Sequence, residues 1–353
     1  MKQEVYDRFK NYQKNHCWQY EIRQQNLIND LKEANLTEDE YKSLRIEDFE
    51  FAAIDPRIEK RLEYSSEILR ELKSDDKISI EARKFYNVRL KEISSQREKA
   101  KALKLEVKEF IQKHEWLGKL PIWPTHRFTA RLKKNGALAG VIVMATPNAF
   151  SNVLGEENKD KEKLISRGAC ISWSPKNLAS WLLMKSIKWM VKDTEFRGFS
   201  AYSDPEAKEL GTIYQACNFI YLGQTFGAGN QFLDPGNPQR GWFGSSGFAD
   251  RSQIVRYAKK LGIEWQPEWY KMMGKNKNYK KVNWSTIPED IALQLKQERK
   301  AHQGRCQKRP SPTKHKYIYI IGRTKKETKD LKKLFNQYNP KLKNLAYPTD
   351  RGK

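Results

Sequence analysis

Cysteine is scarce: the chain has four in 353 residues, Cys17, Cys170, Cys217 and Cys306. No two have the C-x-x-C spacing, and two sit in apolar segments where a free thiol behaves as a small hydrophobe. That usage excludes a disulfide framework and suits a reducing compartment. Long apolar runs are missing too. Nothing approaches the roughly 20 residues a membrane-spanning helix needs, and the opening MKQEVYDRFKNYQKNH holds no signal-peptide core. We therefore expect a cytoplasmic protein with no membrane partner. Histidine numbers five. The trio His302, Cys306 and His315 invites a zinc reading, but its spacing fits no standard ligand pattern, and no metal site is expected from it. Hydrophobic residues make up only 38%. Parts of the chain should thus be solvated helix or extended arm rather than packed globule.

Positive charge is present in excess. The formal net charge is +24, and Lys271–Lys353 alone carries 23 Lys and Arg against 6 Asp and Glu, with Trp, Tyr and Phe interleaved. A basic excess gathered in one segment is the electrostatic footprint of a phosphate-backbone binder. An anionic membrane surface is disfavoured because no long amphipathic apolar face accompanies the charge.

The texture of the chain divides it into four. Residues 1–104 read as helical: long charged runs almost free of Gly and Pro, with apolar residues at three- and four-residue intervals. Thr37 and Glu40 form a capping-box signature between two of these runs. Such helices suit packing or homo-oligomer formation. Residues 105–226 form the core. HRFTARLKKNGALAGVIVMATP predicts a hairpin around Asn135-Gly136, LISRGACISW a strand, and SPKNLASWLLMKSIKWMVKD a helix. In that helix Ser174 is the expected N-cap, with Leu178, Leu182, Ile187 and Met190 on the buried side. GFSAYS predicts a strand, DPEAKELGTIYQACN one helix, and FIYLGQT a closing strand. Residues 227–270 hold a Gly/Pro-rich loop and a candidate helix-turn-helix around Gly262. Residues 271–353 are expected to be the basic DNA-contacting region, irregular to 316 and then a strand and a helix. The fold class expected is α/β (α+β): a mixed sheet flanked by helices, with a helical N-terminal region and a basic C-terminal extension.

The strand-helix-strand-helix-strand order from Leu164 to Thr225 resembles the GNAT fold of N-acetyltransferases. In that fold an acyl-CoA-type donor places its pyrophosphate at the helix start after the central strand, where free N–H groups and the helix dipole favour an anion. The matching positions here are Ser174, Lys176, Asn177 and Ser180, although the usual Gln/Arg-x-x-Gly-x-Gly/Ala loop is absent. Five segments in order narrow the resemblance: His114–Gly118, Ser166–Ala169, Trp173–Asn177, Ala201–Pro205 and Gly211–Asn218. Together they resemble the Mom-like DNA-modification proteins of bacteriophages. That resemblance implies a GNAT-like enzyme placing a carbamoylmethyl-type group on N6 of adenine in phage DNA, which masks sites from host restriction. It leaves open the group donor and any metal requirement, and double-stranded DNA is the implied partner.

The candidate catalytic residues are His114, Arg167, Tyr202, Asp204 and Tyr214. His114 closes a helix and serves either as a site residue or as a helix cap stacked on Trp116. Arg167 lies in an apolar strand, so either a carboxylate satisfies it or it holds a substrate group. Tyr202 and Asp204 end a strand, where α/β sheets open their ligand crevice, though Asp204 also suits a helix N-cap. Tyr214 precedes Asn218-Phe219 much as the general-acid Tyr of N-acetyltransferases precedes Gly-Phe; a packed core Tyr is the alternative. Two rival functions stand beside the first: an N-acetyltransferase on a protein or small-molecule amine, and a non-catalytic DNA-binding protein.

Overall fold

The computed structural model of the protein describes residues 20–75, 78–115, 117–121, 124–147, 150–207, 209–225, 229–273, 279–342 and 345–349. In chain order, α1 (Tyr20–Glu33) and α2 (Glu38–Ser43) precede strand β1 (Phe49–Ile54). Then come α3 (Pro56–Ser74), α4 (Ile80–His114), the hairpin β2 (Pro124–Leu132) and β3 (Leu138–Ala145), and β4 (Glu162–Cys170). Next are α5 (Leu178–Asp193), β5 (Gly198–Ser203), α6 (Thr212–Ala216) and β6 (Ile220–Thr225). There follow β7 (Asn230–Leu233), β8 (Phe243–Gly244), α7 (Arg251–Lys260), β9 (Tyr270–Met273), β10 (Tyr279–Val282), α8 (Glu289–Arg305) and β11 (Gln307–Pro310). β12 (Lys314–Ile320) and α9 (Lys325–Tyr338) close the described chain.

Two compact units result, and their boundaries differ from the four expected regions. One joins residues 9–224 to 314–353; the other takes in 225–313. The first is built on a seven-stranded sheet in the order β1-β2-β3-β4-β5-β12-β6. Strands β1 to β4 are antiparallel, β4 and β5 are parallel, and β12 returns antiparallel beside β5. This is the mixed, helix-flanked sheet the resemblance implied. Helix α5 buries Leu178, Leu182, Leu183, Ile187 and Met190 in its core, and α4 buries Val107, Phe110 and Ile111.

Several expectations need correction. Residues 1–104 are not helical throughout: FEFAAI forms β1, paired with β2 from Phe49↔Leu132 to Ile54↔Arg127. Six apolar-biased residues between charged helices carry no helical period, and Asp55 caps the following helix by accepting from the Arg57 amide at 2.8 Å. The end of the chain is not an appendage, because β12 pairs with β5 inside the core sheet. Its hydrophobic residues Tyr317, Ile318 and Ile320 are buried, so a cut at 271 would remove a central strand. The expected helix after Asp204 is broken into a 3-10 turn (Pro205–Ala207) and α6. Gly211 causes the break: it takes φ +65, and a Cβ there would meet the Tyr317 ring at 2.7 Å. The α5 cap falls at Asn177 rather than Ser174. The Asn135-Gly136 hairpin forms as expected, Asn135 Oδ1 accepting from the Ala137 amide and Gly136 at φ +74.

The unit of residues 225–313 has its own core around Ile254, Tyr257, Trp269, Val282 and Leu295. It contains a three-stranded sheet β11-β7-β8 and the hairpin β9–β10. The described residues of the stretch expected to be irregular up to 316 are therefore largely in strands and a helix. The helix-turn-helix is not formed, because α7 is followed by a 3-10 turn (Pro267–Trp269) and a strand. Gln266, in extended backbone (φ −93, ψ 142) before Pro267, opens only the short 3-10 turn, and Tyr270 returns to extended backbone (φ −106, ψ 147).

Candidate active site

The site arises where β4 and β5 part. Their parallel pairing runs from Glu162↔Gly198 to Ile165↔Ala201 and stops, although both strands continue. On its other edge β4 carries a bulge: Val143 faces Arg167 and Met144 faces Ile165, which leaves Ser166 without an opposite residue. The bulge re-aims the end of β4 away from β5. A cavity of about 950 Å³ opens in the gap, lined by Ser166–Cys170 from β4, Tyr202–Asp204 from β5, and residues of α4, α5 and α6. Strand carboxyl ends at a divergence are the standard ligand crevice of α/β sheets.

All five candidate catalytic residues line this cavity. Arg167 donates from Nε to the Lys119 carbonyl at 2.8 Å and from Nη1 to the Ser166 carbonyl at 2.6 Å. Its ion partner is Glu115, 3.9 Å away. A carboxylate is therefore close to the half-buried Arg167, which also lines the cavity. Asp204, buried at the end of β5, pairs with Lys314 at 3.4 Å. Tyr214 packs against Phe219 and Tyr317, with ring centroids 5.3 and 5.4 Å apart. Burial, with Glu209 nearby, pushes its phenol well above the ordinary range, so it stays protonated. Burial likewise raises Tyr202, whose ring lies under the Lys316 ammonium. His114 stacks on Phe110 at 4.4 Å, and burial lowers its pKa so that the neutral ring prevails. The expected alternative stacking partner, Trp116, lies outside the described residues, as does Cys17.

Four charged cavity residues were not among the sequence candidates: Glu115, Lys119, Glu209 and Lys314. Glu115 caps the end of α4 and accepts from the Gly118 amide at 2.9 Å. Burial raises its pKa against the pull of Arg167 and of that amide. Glu209 accepts from the Asp204 amide at 3.3 Å. Burial, reinforced by the Glu115 and Asp204 charges, lifts it to about 7. Glu115 adjoins His114 in a segment that was singled out, whereas Glu209 was hidden in an expected helix and Lys314 in the expected tail. No spacing rule links them. The site thus holds three carboxylic acids and three cations, one acid poised near neutrality, the pattern by which enzymes tune a base.

The four proposed cofactor residues sit elsewhere. Ser174 Oγ donates to the Ile171 carbonyl and Ser180 Oγ to the Asn177 carbonyl, while Lys176 and Asn177 are exposed. None of them lines the cavity, although Ala179 does. The helix start fits an anionic donor at one point. Asn177 makes no side-chain cap, and although the Leu178 amide is taken by the Pro175 carbonyl at 2.9 Å, the next first-turn amides, at Ala179 and Ser180, could meet a ligand. Of the supposed metal trio, His302 and Cys306 come together, but the third neighbour is Asp234. His315 instead meets the Tyr221 hydroxyl at 2.7 Å.

Residues 96–232 match the Mom protein family, a range that contains most of the cavity lining. No curated protein matches the chain. Among solved structures, a ribosomal-protein-S5-alanine acetyltransferase from Vibrio fischeri is 13% identical, covering 52% of this chain and 86% of that one, with a TM-score of 0.27. An N-acetyltransferase from Staphylococcus aureus Mu50 is also 13% identical, covering 51% and 88%, with a TM-score of 0.25. The fold assignment rests on the sheet order and the parting β4–β5 pair: the first unit is a GNAT-like α/β structure. Its cleft-bearing segment is similar to the Mom family. No helix among the described residues is long and apolar enough to cross a membrane.

Proposed function

We propose that the protein is a transferase that places a carbamoylmethyl-type group on N6 of adenine in double-stranded DNA, protecting phage DNA from host restriction. The observation that supports this reading best is the cavity between β4 and β5, with its poised carboxylic acid, inside the segment that matches the Mom family. Adenine N6 is inaccessible in a stacked pair, so the base must leave the duplex to enter such a cavity. There the carboxylate of Asp204, oriented by Lys314, accepts a hydrogen bond from the exocyclic amine. Glu209, about half ionised at neutral pH, takes the proton that the amine loses as its nitrogen bonds to the transferred carbon. Arg167 holds the carbonyl oxygen of the incoming group, and the protonated Tyr214 phenol supplies the leaving group with its proton. A donor carrying its leaving group on the methylene carbon, held near the start of α5, would supply the activated group, since an acyl-CoA thioester attacked at its carbonyl would leave an amide on N6 instead. The exposed cations of the 225–313 unit and of α9 grip the DNA backbone. Exposed Tyr64, Ile80, Phe85 and Val88 on α3 and α4 support self-association through the N-terminal helices.

The test is mass spectrometry of nucleosides from DNA of cells expressing the protein. A modified deoxyadenosine, absent with Glu209→Gln, is expected. Standard nucleosides alone, from well-expressed folded protein in a phage host, would sink the reading. A DNA-binding or amine-acetylating protein would then be the choice.

A further inference from the structure

In the 225–313 unit three side chains with different donor atoms converge. A carboxylate oxygen of Asp234, a ring nitrogen of His302 and the thiol of Cys306 all lie within 4.8 Å of one another. The topology puts them there. β11 pairs with β7 so that Gln307 faces Leu233, and Cys306 and Asp234 are the next residues beyond that paired end. His302 stands one helical turn before Cys306, in the last turn of α8, so both project from one face. The His302 ring is buried edge-on against Phe248 and Tyr257. Its Nδ1 is 2.7 Å from the Tyr257 hydroxyl, and its Nε2 is 3.0 Å from Asp234 Oδ2.

We propose that Asp234, His302 Nε2 and Cys306 Sγ bind one zinc-class divalent cation, with water completing a tetrahedron. A thiolate with an imidazole is a poor set for magnesium or calcium and a good one for zinc. The charges balance, since one thiolate and one carboxylate neutralise a dication. Bonds of about 2.0–2.3 Å give ligand separations of about 3.3–3.7 Å. The present spread of 3.0 to 4.8 Å reaches that with side-chain shifts of roughly 1 Å or less. Tyr257 completes the design from outside: by accepting from Nδ1–H it would fix the tautomer that aims the Nε2 lone pair at the ion. The rival arrangement is a metal-free Tyr257–His302–Asp234 hydrogen-bond relay with Cys306 a bystander. The ion would tie the end of β7 to the end of α8, where the ladder of the small sheet runs out. Binding must displace the thiol proton of Cys306, so affinity should rise with pH.

Cobalt(II) titration of the untagged, chelator-washed full chain separates the two arrangements. One equivalent of cobalt should produce tetrahedral visible bands and a sulfur-to-cobalt charge-transfer band, both abolished by zinc. Cys306→Ser should remove the charge-transfer band although Cys17, Cys170 and Cys217 remain. Asp234→Asn and His302→Gln should weaken zinc binding at least about tenfold, and Tyr257→Phe by roughly 10–100-fold with every ligand intact. Zinc should also raise the thermal transition of the wild-type chain. A wild-type chain with no charge-transfer band, or a band that survives Cys306→Ser, overturns the proposal. The wild-type titration needs no variant to fold.

Discussion

The two units set their most prominent charged groups differently, although each has some of both kinds: Lys316 stands on Tyr202 beside the cleft, and His302 and Tyr257 are buried in the 225–313 unit. Around the cleft, acids and bases are buried among apolar walls, and burial is the first cause of the shifts at Glu115, Glu209, Tyr214 and His114. In the 225–313 unit cations stand on aromatic faces instead: Arg309 over Trp242 at 4.4 Å, Arg240 over Phe243 at 3.7 Å, Lys296 over Trp284 at 5.8 Å. Desolvation changes what a group does with a proton, whereas an aromatic face leaves the charge intact and limits where it can point. On the proposed function, chemistry would belong to the first arrangement and grip on a polyanion to the second. Changes in the cleft should therefore alter rate, and changes to the exposed cations should alter affinity and its salt dependence.

The largest expected effect is on rate. Glu209→Gln should lower modification by about 10²–10⁴-fold, the usual contribution of a general base, while DNA affinity stays within twofold or so. The same variant should be more stable at pH 8 than wild type. The folded carboxyl is raised to about 7, above its ordinary 4.5, so the fold disfavours the ionised form. That penalty is absent below about pH 4.5, grows as pH rises, and is complete above 7. Melting curves at pH 4 and pH 8 check the sign: the gain should appear only at the higher pH. Wild-type activity should climb with pH through about 7, and a flat profile there would remove Glu209 as the base. Arg167→Ala comes next, with a loss of about 10²–10³-fold if the guanidinium meets charge developing on the transferred group. Should Arg167→Ala instead melt early with its remaining activity normal per folded molecule, Glu115 and the two carbonyls would be its whole purpose.

How far the residues alone revealed this site follows from the same contrast. The elements with a clear period were legible: the Asn135-Gly136 hairpin, the buried face of α5, β12 and α9. All five catalytic candidates do line one cavity. What was not legible is pairing across long separations. Nothing local shows that Lys314 lies 3.4 Å from Asp204, or that a tyrosine meets a histidine 94 positions further on in Tyr221–His315. Glu209 looked like one more acid in a helix, because its burial depends on Gly211 breaking that helix. β1 went unseen because charged helices flank it, and its six residues are too few to set a period against theirs.

A middle-sized effect tests the boundary of the cleft-bearing unit. Arg197, buried before β5, donates from Nε to Glu327 of α9 at 2.5 Å and from Nη1 to the Thr194 and Phe196 carbonyls at 2.9 and 2.7 Å. Arg197→Ala would remove one partner of Glu327, which keeps the Arg323 amide, and leave the Phe196 carbonyl unsatisfied while Arg323 still reaches that of Thr194, at a cost of about 1–3 kcal/mol. Glu327→Gln, which keeps a hydrogen-bond acceptor, should cost less. Equal and small losses in chemical denaturation would mean that the chain beyond 313 is only loosely held.

The smallest effect concerns α9 itself. Lys325, Lys326, Lys332 and Lys333 are exposed, while Leu331 and Phe335 bury the opposite side of the helix. Reversing the four lysines to Glu therefore changes charge with the core untouched, which truncation cannot do. Each phosphate contact on duplex DNA contributes about −0.9 to the slope of log K against log salt. If α9 grips the backbone, the slope should flatten by roughly one to four, equally for all DNA sequences. Turnover on saturating DNA should be unchanged, since none of the four lines the cleft. An unaltered slope would confine the grip to other cations, and the same reversal at Lys296, Arg309 and Arg240 would then have to flatten it. A fall in saturated turnover would break the division of labour itself, because a charge outside the cleft would be setting the rate within it.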